Sequence, residues 1–350
     1  MSVGGISSLF GNLITRLLER RVTLSSFSQN LLRGSALTLF DSAKIIEDPL
    51  TDFRDLAPIS VSRSLGHPPV CEAIEEVLDS VSRVGFATHF PEFIGMLGAL
   101  QVANSGSEAQ QVKIREWVDA GYRGAFLMTD RGGPTLDQWQ SQASITGSRH
   151  ELVIDKIWSM FALNADFLTV VVKREGAMLP VAYLLDPSTC SKLERAPQGA
   201  AFINGTTQLA SVKGVAIASD EDILASGGPL GVSRFLCQAR PRFVLGAIAH
   251  VLWLIEQGRA NASADIRDML CALRSFARSV VEDNQMHRHA IDEVLALKFA
   301  MNEAVLAIVK ADSSMAISDQ RDLLGFSKLE GSSYHCLEEI YSRSVGQRHD

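Results

Sequence analysis

The sequence predicts an α+β chain in three consecutive segments: a helical domain, an all-β domain and a helical bundle. Three observations carry that reading. Apolar residues recur at helical spacing from about Ala73 to Leu100 and again through Trp117. From Gly121 to about Ser219, short β-branched or aromatic runs are cut by Gly, Pro, Asn and Asp. After the GGPLG string at 227–231, helical periodicity returns and holds almost to the end. The boundaries implied are 1–121 for the N-terminal helical domain, 122–228 for the β domain (a barrel or sandwich) and 229–350 for the bundle.

Residues 1–40 carry Arg16, Arg20, Arg21 and Arg33 against the single acid Glu19, with many serines, which is the composition of an organelle transit peptide. The same stretch also reads as an amphipathic helix through Leu9, Leu13, Leu17 and Leu18. Further on, Pro91 is expected to start a second helix through the FIGMLGAL run. Ser105 and Glu108, three apart, are expected to form a capping box that opens a helix through Ile114 and Trp117.

In the middle segment AFLMT, ELVIDKIWSM, FLTVVVK, PVAYLLD and SVKGVAIAS read as strands. No helical pattern alternates with them, which argues against a doubly wound parallel nucleotide-binding sheet. The bundle should hold long helices over about 233–257, 264–284 and 286–311 and a shorter one near 333–343, with Gly258 and Asn261 separating the first pair.

With 350 residues and 46% hydrophobic content, the chain can supply real cores, and its net charge of -7 gives no general attraction to nucleic acid or anionic lipid. The five cysteines show no CxxC pair, so neither a disulfide framework nor a zinc knuckle is expected, and a reducing compartment fits best. A cytoplasmic location follows, with the mitochondrial matrix as the alternative if residues 1–40 are a targeting segment. The longest apolar run, Phe243 to Ile255, contains His250 and is too short to cross a bilayer of roughly 30 Å, so it reads as a buried core helix.

His287 and His289, two apart on an expected helix, face different directions and do not make a metal pair, and no metal site is expected. His335 and Cys336 are adjacent and read as structural. No Walker loop, GxSxG elbow or GxGxxG fingerprint is present.

Several strings occur in an order that resembles one family. GSEAQQ at 106–111 is similar to GSEEQK, AFLMTDRGGPT at 125–135 to an ALTEPGAGS loop, and DKIWSMFALNADF at 155–167 to KxWITNGxxADx. SVKGVAIASDEDIL resembles a strand and turn before a bundle, ARP at 239–241 a TRP string, and LEEIYS at 337–342 LERLYRD. These are strings of the acyl-CoA dehydrogenases, and their collinearity over residues 105–342 is stronger than any one of them.

The resemblance implies an FAD cofactor and an acyl thioester substrate on coenzyme A or a carrier protein. A carboxylate would remove the α proton while flavin N5 accepts the β hydride, leaving an α,β-enoyl thioester; the protein supplies position, carbonyl polarisation and the base. By that resemblance the backbone and hydroxyl of Met128 and Thr129 would hydrogen-bond the flavin pyrimidine, and Trp158 would cover one face of the ring. Ser159 stands where the motif's flavin-bonding threonine is displaced. Thr135 would lie near the thioester and pantetheine, and Arg240 near the reacting end. An electron-transfer acceptor and a homo- or hetero-oligomer are also implied. Without the resemblance, Thr129 and Thr135 read as turn hydroxyls, Trp158 as a core aromatic and Arg240 as a helix-start charge.

The sequence departs from the family pattern at important positions. No YEGT glutamate appears before the chain reaches Asp350, and the alternative base position is Ala239, so no catalytic residue is assigned. QGRANASADIR replaces the RxxFG string, with Arg259 as a poor substitute, and GSSYH at 331–335 stands in place of HGGxGY. Glu256 lies about 24 Å along the helix from Arg240 at 1.5 Å per residue, too far to serve as the base. Three functions are compatible with this pattern: a divergent acyl thioester dehydrogenase, a degenerate partner subunit of a complete homologue, and a flavin-dependent oxygenase on the same fold.

Overall fold

The computed structural model describes residues 86–133, 136–202, 207–283, 291–333, 335, 336, 339 and 340. The chain divides into two compact units, one including Thr88–Ala239 and the other Arg240–Asp350.

Among the described residues the first helices are α1 (Phe86–Gly95), which lies in the first unit from Thr88 on, α2 (Leu97–Ser105) and α3 (Glu108–Asp119). Pro91 lies inside α1 rather than at the start of a new helix, and the break comes instead at Met96. The capping box of α3 is Ser107 with Gln110, two residues later than expected. Ser107 Oγ accepts from the Gln110 N–H at 3.3 Å, and Gln110 Oε1 accepts from the Ser107 N–H at 2.8 Å. Ser105 is already the last residue of α2, which leaves the cap role to the next serine. Gln110 also donates to the Glu221 and Ile223 carbonyls at 2.7 and 2.9 Å, fixing α3 against the turn after the last strand.

The strands are β1 (Gly124–Leu127), β2 (Gln142–Thr146), β3 (Arg149–Ser159), β4 (Phe167–Arg174), β5 (Val181–Leu185), β6 (Glu194–Phe202) and β7 (Thr207–Ala218), with a short helix α4 (Pro187–Cys190) after β5. They join in the order β1-β4-β2-β3-β7-β6, with β5 also paired to β4, in one curled sheet. The β1–β4 and β2–β4 pairs are parallel and the others antiparallel. β4 is buried along most of its length, which accounts for the uninterrupted FLTVVV run, whereas β3 alternates buried and exposed residues over its first half because one face meets water.

Two strands escaped the sequence reading. β2 is the polar QASIT, and β6 contains Pro197 and a left-handed Gly199. β6 ends the pairing order, and an edge strand tolerates a proline that a central strand would not. The core beneath the sheet gathers Leu127, Leu152, Ile154, Leu168, Val170 and Val212. Gly124 is required in β1 because a Cβ there would overlap the Phe167 ring.

Helix α5 (Pro229–Glu256) carries the chain from the first unit into the second, with Pro241 in its interior. Arg240 is therefore a mid-helix residue, not a helix-start charge. The second unit continues with α6 (Ala264–Asp283), α7 (Ile291–Ala311) and α8 (Ile317–Lys328). α8 was not expected, because Ser318, Asp319, Asp322 and Gly325 dilute its apolar pattern. Residues 333, 335, 336, 339 and 340 are helical, where the shorter terminal helix was expected. Phe243 meets Phe326 edge to face at 5.8 Å, and His250 packs between Trp253 and Phe326. The Phe243–Ile255 run is buried at nearly every position. Among the described residues no helix is long and apolar enough to cross a membrane.

Candidate functional site

β1 runs on past Leu127 and pairs briefly with β3. The Thr129 carbonyl accepts from the Ile157 N–H at 3.0 Å, and the Asp155 carbonyl accepts from the Arg131 N–H at 3.1 Å. This register places Met128 and Thr129, both exposed, beside Ile157 and Trp158. Four of the residues expected to meet a cofactor thus lie together in one unit, although Ser159 is only 4% exposed and its hydroxyl approaches the Ile157 carbonyl at 3.5 Å.

Beneath this edge lies a buried ion pair that the sequence reading missed. Lys156 Nζ donates to the Met128 carbonyl at 3.0 Å and to Asp130 Oδ2 at 3.2 Å, and sits 4.2 Å from the centre of the Trp139 ring. Burial pulls the Lys156 pKa down to about 8, with Asp130 opposing that fall. Asp130 in turn accepts from the backbone N–H groups of Gly132, Gln140 and Ser141 at 2.9, 2.7 and 3.0 Å. Burial works against the Asp130 charge, but these bonds and Lys156 hold its pKa below the usual carboxylate range. One carboxylate therefore gathers both ends of the 131–140 loop, and Lys156 ties it to β1. Gly132 is required there because a Cβ would overlap the Gln138 carbonyl.

Trp158 departs from an ordinary strand. Its φ is 56°, in the left-handed region, and the residue is 55% exposed. The β3–β7 register shifts between Lys156 and Ser159, so Trp158 stands on a bulge. Its N–H donates to Gln198 Oε1 on β6 at 2.7 Å. A half-exposed indole on a strained backbone beside a polar edge suits a flat conjugated ring, so these residues fit the ring end of a flavin.

The bundle residues give a different result. Arg240 is 6% exposed; its Nε has no partner and its Nη1 lies 4.0 Å from Glu339. Nearby, Lys298 donates to Asn302 Oδ1 and to the Phe326 carbonyl, and Asn302 donates to the Gly331 carbonyl. Burial lowers the Lys298 pKa to about 7. Burial also raises Glu330 above the usual carboxylate range, against the pull of Arg240 and Lys298. Ala239, at the alternative base position, is buried and apolar.

Arg259 is committed within the unit. Its Nε and Nη2 reach both oxygens of Asp319 at 3.1 and 2.6 Å, and its guanidinium lies 5.3 Å from the Trp253 ring. It does not fit a pyrophosphate. Thr135, His287 and His289 lie outside the described residues, as does the 1–40 segment. Among the described residues no His, Cys, Asp and Glu cluster could hold a metal ion.

No known protein family and no curated protein matches the sequence. Solved structures do match in shape. Butyryl-CoA dehydrogenase from Megasphaera elsdenii superposes with a TM-score of 0.64 at 15% identity, covering 99% of each chain. The prolyl acyl carrier protein oxidase AnaB gives 0.65 at 12% identity over 99% of this chain and 100% of its own. A glutaryl-CoA dehydrogenase from Mycobacterium smegmatis in complex with FADH2 gives 0.57 at 14% identity over 99% and 95%. The chain has an acyl-CoA dehydrogenase-like fold.

Proposed function

We propose that the protein is an FAD-dependent oxidoreductase acting on an acyl thioester carried by coenzyme A or a carrier protein. The observation that carries this reading is the exposed, left-handed Trp158 beside the Met128–Thr129 edge. The names of the structural neighbours, dehydrogenases of acyl-CoA substrates and an oxidase of an acyl carrier protein, support the same class.

Bound FAD would supply the two-electron acceptor. The chain's part is to hold and shield it: the Met128 and Thr129 backbone and the Thr129 hydroxyl offer hydrogen bonds to the ring's polar edge, and the Trp158 indole covers one face and excludes water there. Lys156 fixes the Met128 carbonyl and so holds that edge in place. Thr135 is assigned to the thioester and pantetheine. Arg240, buried with a free Nε, is the guanidinium available to an oxygen of the acyl end. No residue is assigned as base.

A second reading is favoured by two observations: Ala239 offers no carboxylate, and Arg259 is closed in its pair with Asp319. On this reading the chain is a partner subunit that supplies the ring-binding edge to a more complete homologue. The visible absorption spectrum of protein purified with and without added FAD separates the two. Bound flavin that bleaches with an acyl thioester under anaerobic conditions sustains the first reading. A colourless chain that acquires flavin only when co-expressed with a homologue sustains the second.

A further inference from the structure

The bond between Gln198 and Trp158 joins two irregularities that the proposed chemistry does not itself require. β3 and β6 flank β7, and they slip register at neighbouring levels of it, 210–212 on the β3 side and 207–209 on the β6 side. Ser159 pairs with Ala210 and Lys156 with Val212 on one side; on the other, Gln198 pairs with Leu209 and Phe202 with Thr207. Neighbouring strands stand about 4.8 Å apart, so β3 and β6 would be roughly 10 Å apart in a flat sheet. That is further than a glutamine side chain and one hydrogen bond reach. The paired bulges close the gap, and Gln198 Oε1 meets the Trp158 N–H at 2.7 Å.

On the β6 side the loop is held as well: Gly199 is left-handed at φ 73°, and its carbonyl accepts from Gln208 Nε2 at 2.8 Å. A tryptophan at positive φ persists only where its surroundings over-determine it. The Trp158 N–H makes this one bond, and the residue is 55% exposed.

We infer that Gln198 is a positioning residue: it latches the Trp158 backbone in the left-handed conformation and so aims the indole at the flat ring of a bound cofactor. The inference rests on the flavin reading for the identity of that ring, but the latch itself does not. What the latch supplies is an acceptor, so a carboxylate of the same length can replace it and an apolar side chain of similar length cannot.

The test compares the full chain with Gln198→Glu and Gln198→Met. Hydrogen exchange of the segment spanning residues 157–160 is measured by mass spectrometry without flavin. FAD affinity is then measured by quenching of flavin fluorescence, together with the shift of the flavin absorption band. Gln198→Met is expected to speed exchange in that segment by about tenfold, to raise the FAD Kd by about tenfold and to reduce the band shift, with the melting temperature little changed. Gln198→Glu should restore all three readouts to within about threefold of the parent, which a loss of general sheet stability would not do. If Gln198→Met exchanges like the parent, the latch is overturned. If the parent takes up no FAD, the flavin reading falls and exchange alone decides: protection lost in Gln198→Met and kept in Gln198→Glu sustains the latch, and equal exchange in all three overturns it.

Discussion

At the residue scale the buried charges are the most sensitive positions. Lys156 and Asp130 are both fully buried side chains, so removing one partner strands the other. Lys156→Met should cost about 3 kcal/mol and loosen the 131–140 loop, because Asp130 keeps its backbone donors but loses its cation. Adding Asp130→Asn should recover part of that loss, and thermal unfolding of the single and double variants checks it. His250 gives a pH effect with a definite sign. Burial first, then Arg259, lowers its pKa from 6.5 to about 3, so the folded chain holds His250 neutral where an unfolded chain would protonate it. Its stabilising contribution is fully present above pH 6.5 and is lost as pH falls from there toward 3, by about 1.4 kcal/mol per unit within that window. His250→Phe should flatten the parent's loss of melting temperature between pH 6.5 and 5. At this scale the sequence reading singled out Met128, Thr129 and Trp158 through shared register with a family, and the structure sets them side by side. It could not find Gln198 or the Lys156–Asp130 pair, because nothing local announces a contact across two strands or a lysine turned inward.

At the scale of elements, legibility followed periodicity. α5, α6 and α7 are long and apolar on one side or all round, and were placed to within a few residues except where residues 284–290 lie outside the description. α8 was missed because its buried face includes Asp319, Asp322 and Ser327, polar residues held by specific partners rather than by an apolar stripe. The Arg259–Asp319 pair fixes the turn after α5 to α8, and its two ends differ in burial: Arg259 is half exposed and Asp319 almost fully buried. The two truncations should therefore differ. Asp319→Ala leaves a guanidinium that water can solvate and should cost about 1 kcal/mol, whereas Arg259→Ala leaves a buried carboxylate unpaired and should cost about 2 to 3 kcal/mol. Unfolding of the two variants side by side checks the order, and equal losses would show that Asp319 is reached by water.

For the whole molecule, the order of helix, strand and helix was readable because hydrophobic period is a long-range average that survives the loss of individual motifs. Function is not such an average, since one fold hosts many activities and the site decides among them. The site proposed here is uneven: the edge assigned to the ring lies on β1 and β3, while Arg259, the nearest substitute for a phosphate-binding arginine, is committed elsewhere. Ligand linkage converts that unevenness into a measurement. A chain that binds FAD by itself should be stabilised by about 2.7 kcal/mol when FAD is present at a hundred times its Kd. That corresponds to a rise of several degrees in melting temperature for units of this size. Trp158→Ala should remove most of the rise while leaving the flavin-free melting temperature nearly unchanged, since the residue is more than half exposed and stands outside the buried core. If the parent shows no rise, but a complex with a homologue does and loses it on Trp158→Ala, the same edge works in trans and the partner-subunit reading holds. If Trp158→Ala changes neither, the edge formed by Met128, Thr129 and Trp158 does not hold the ring, and the flavin assignment loses the observation that supports it.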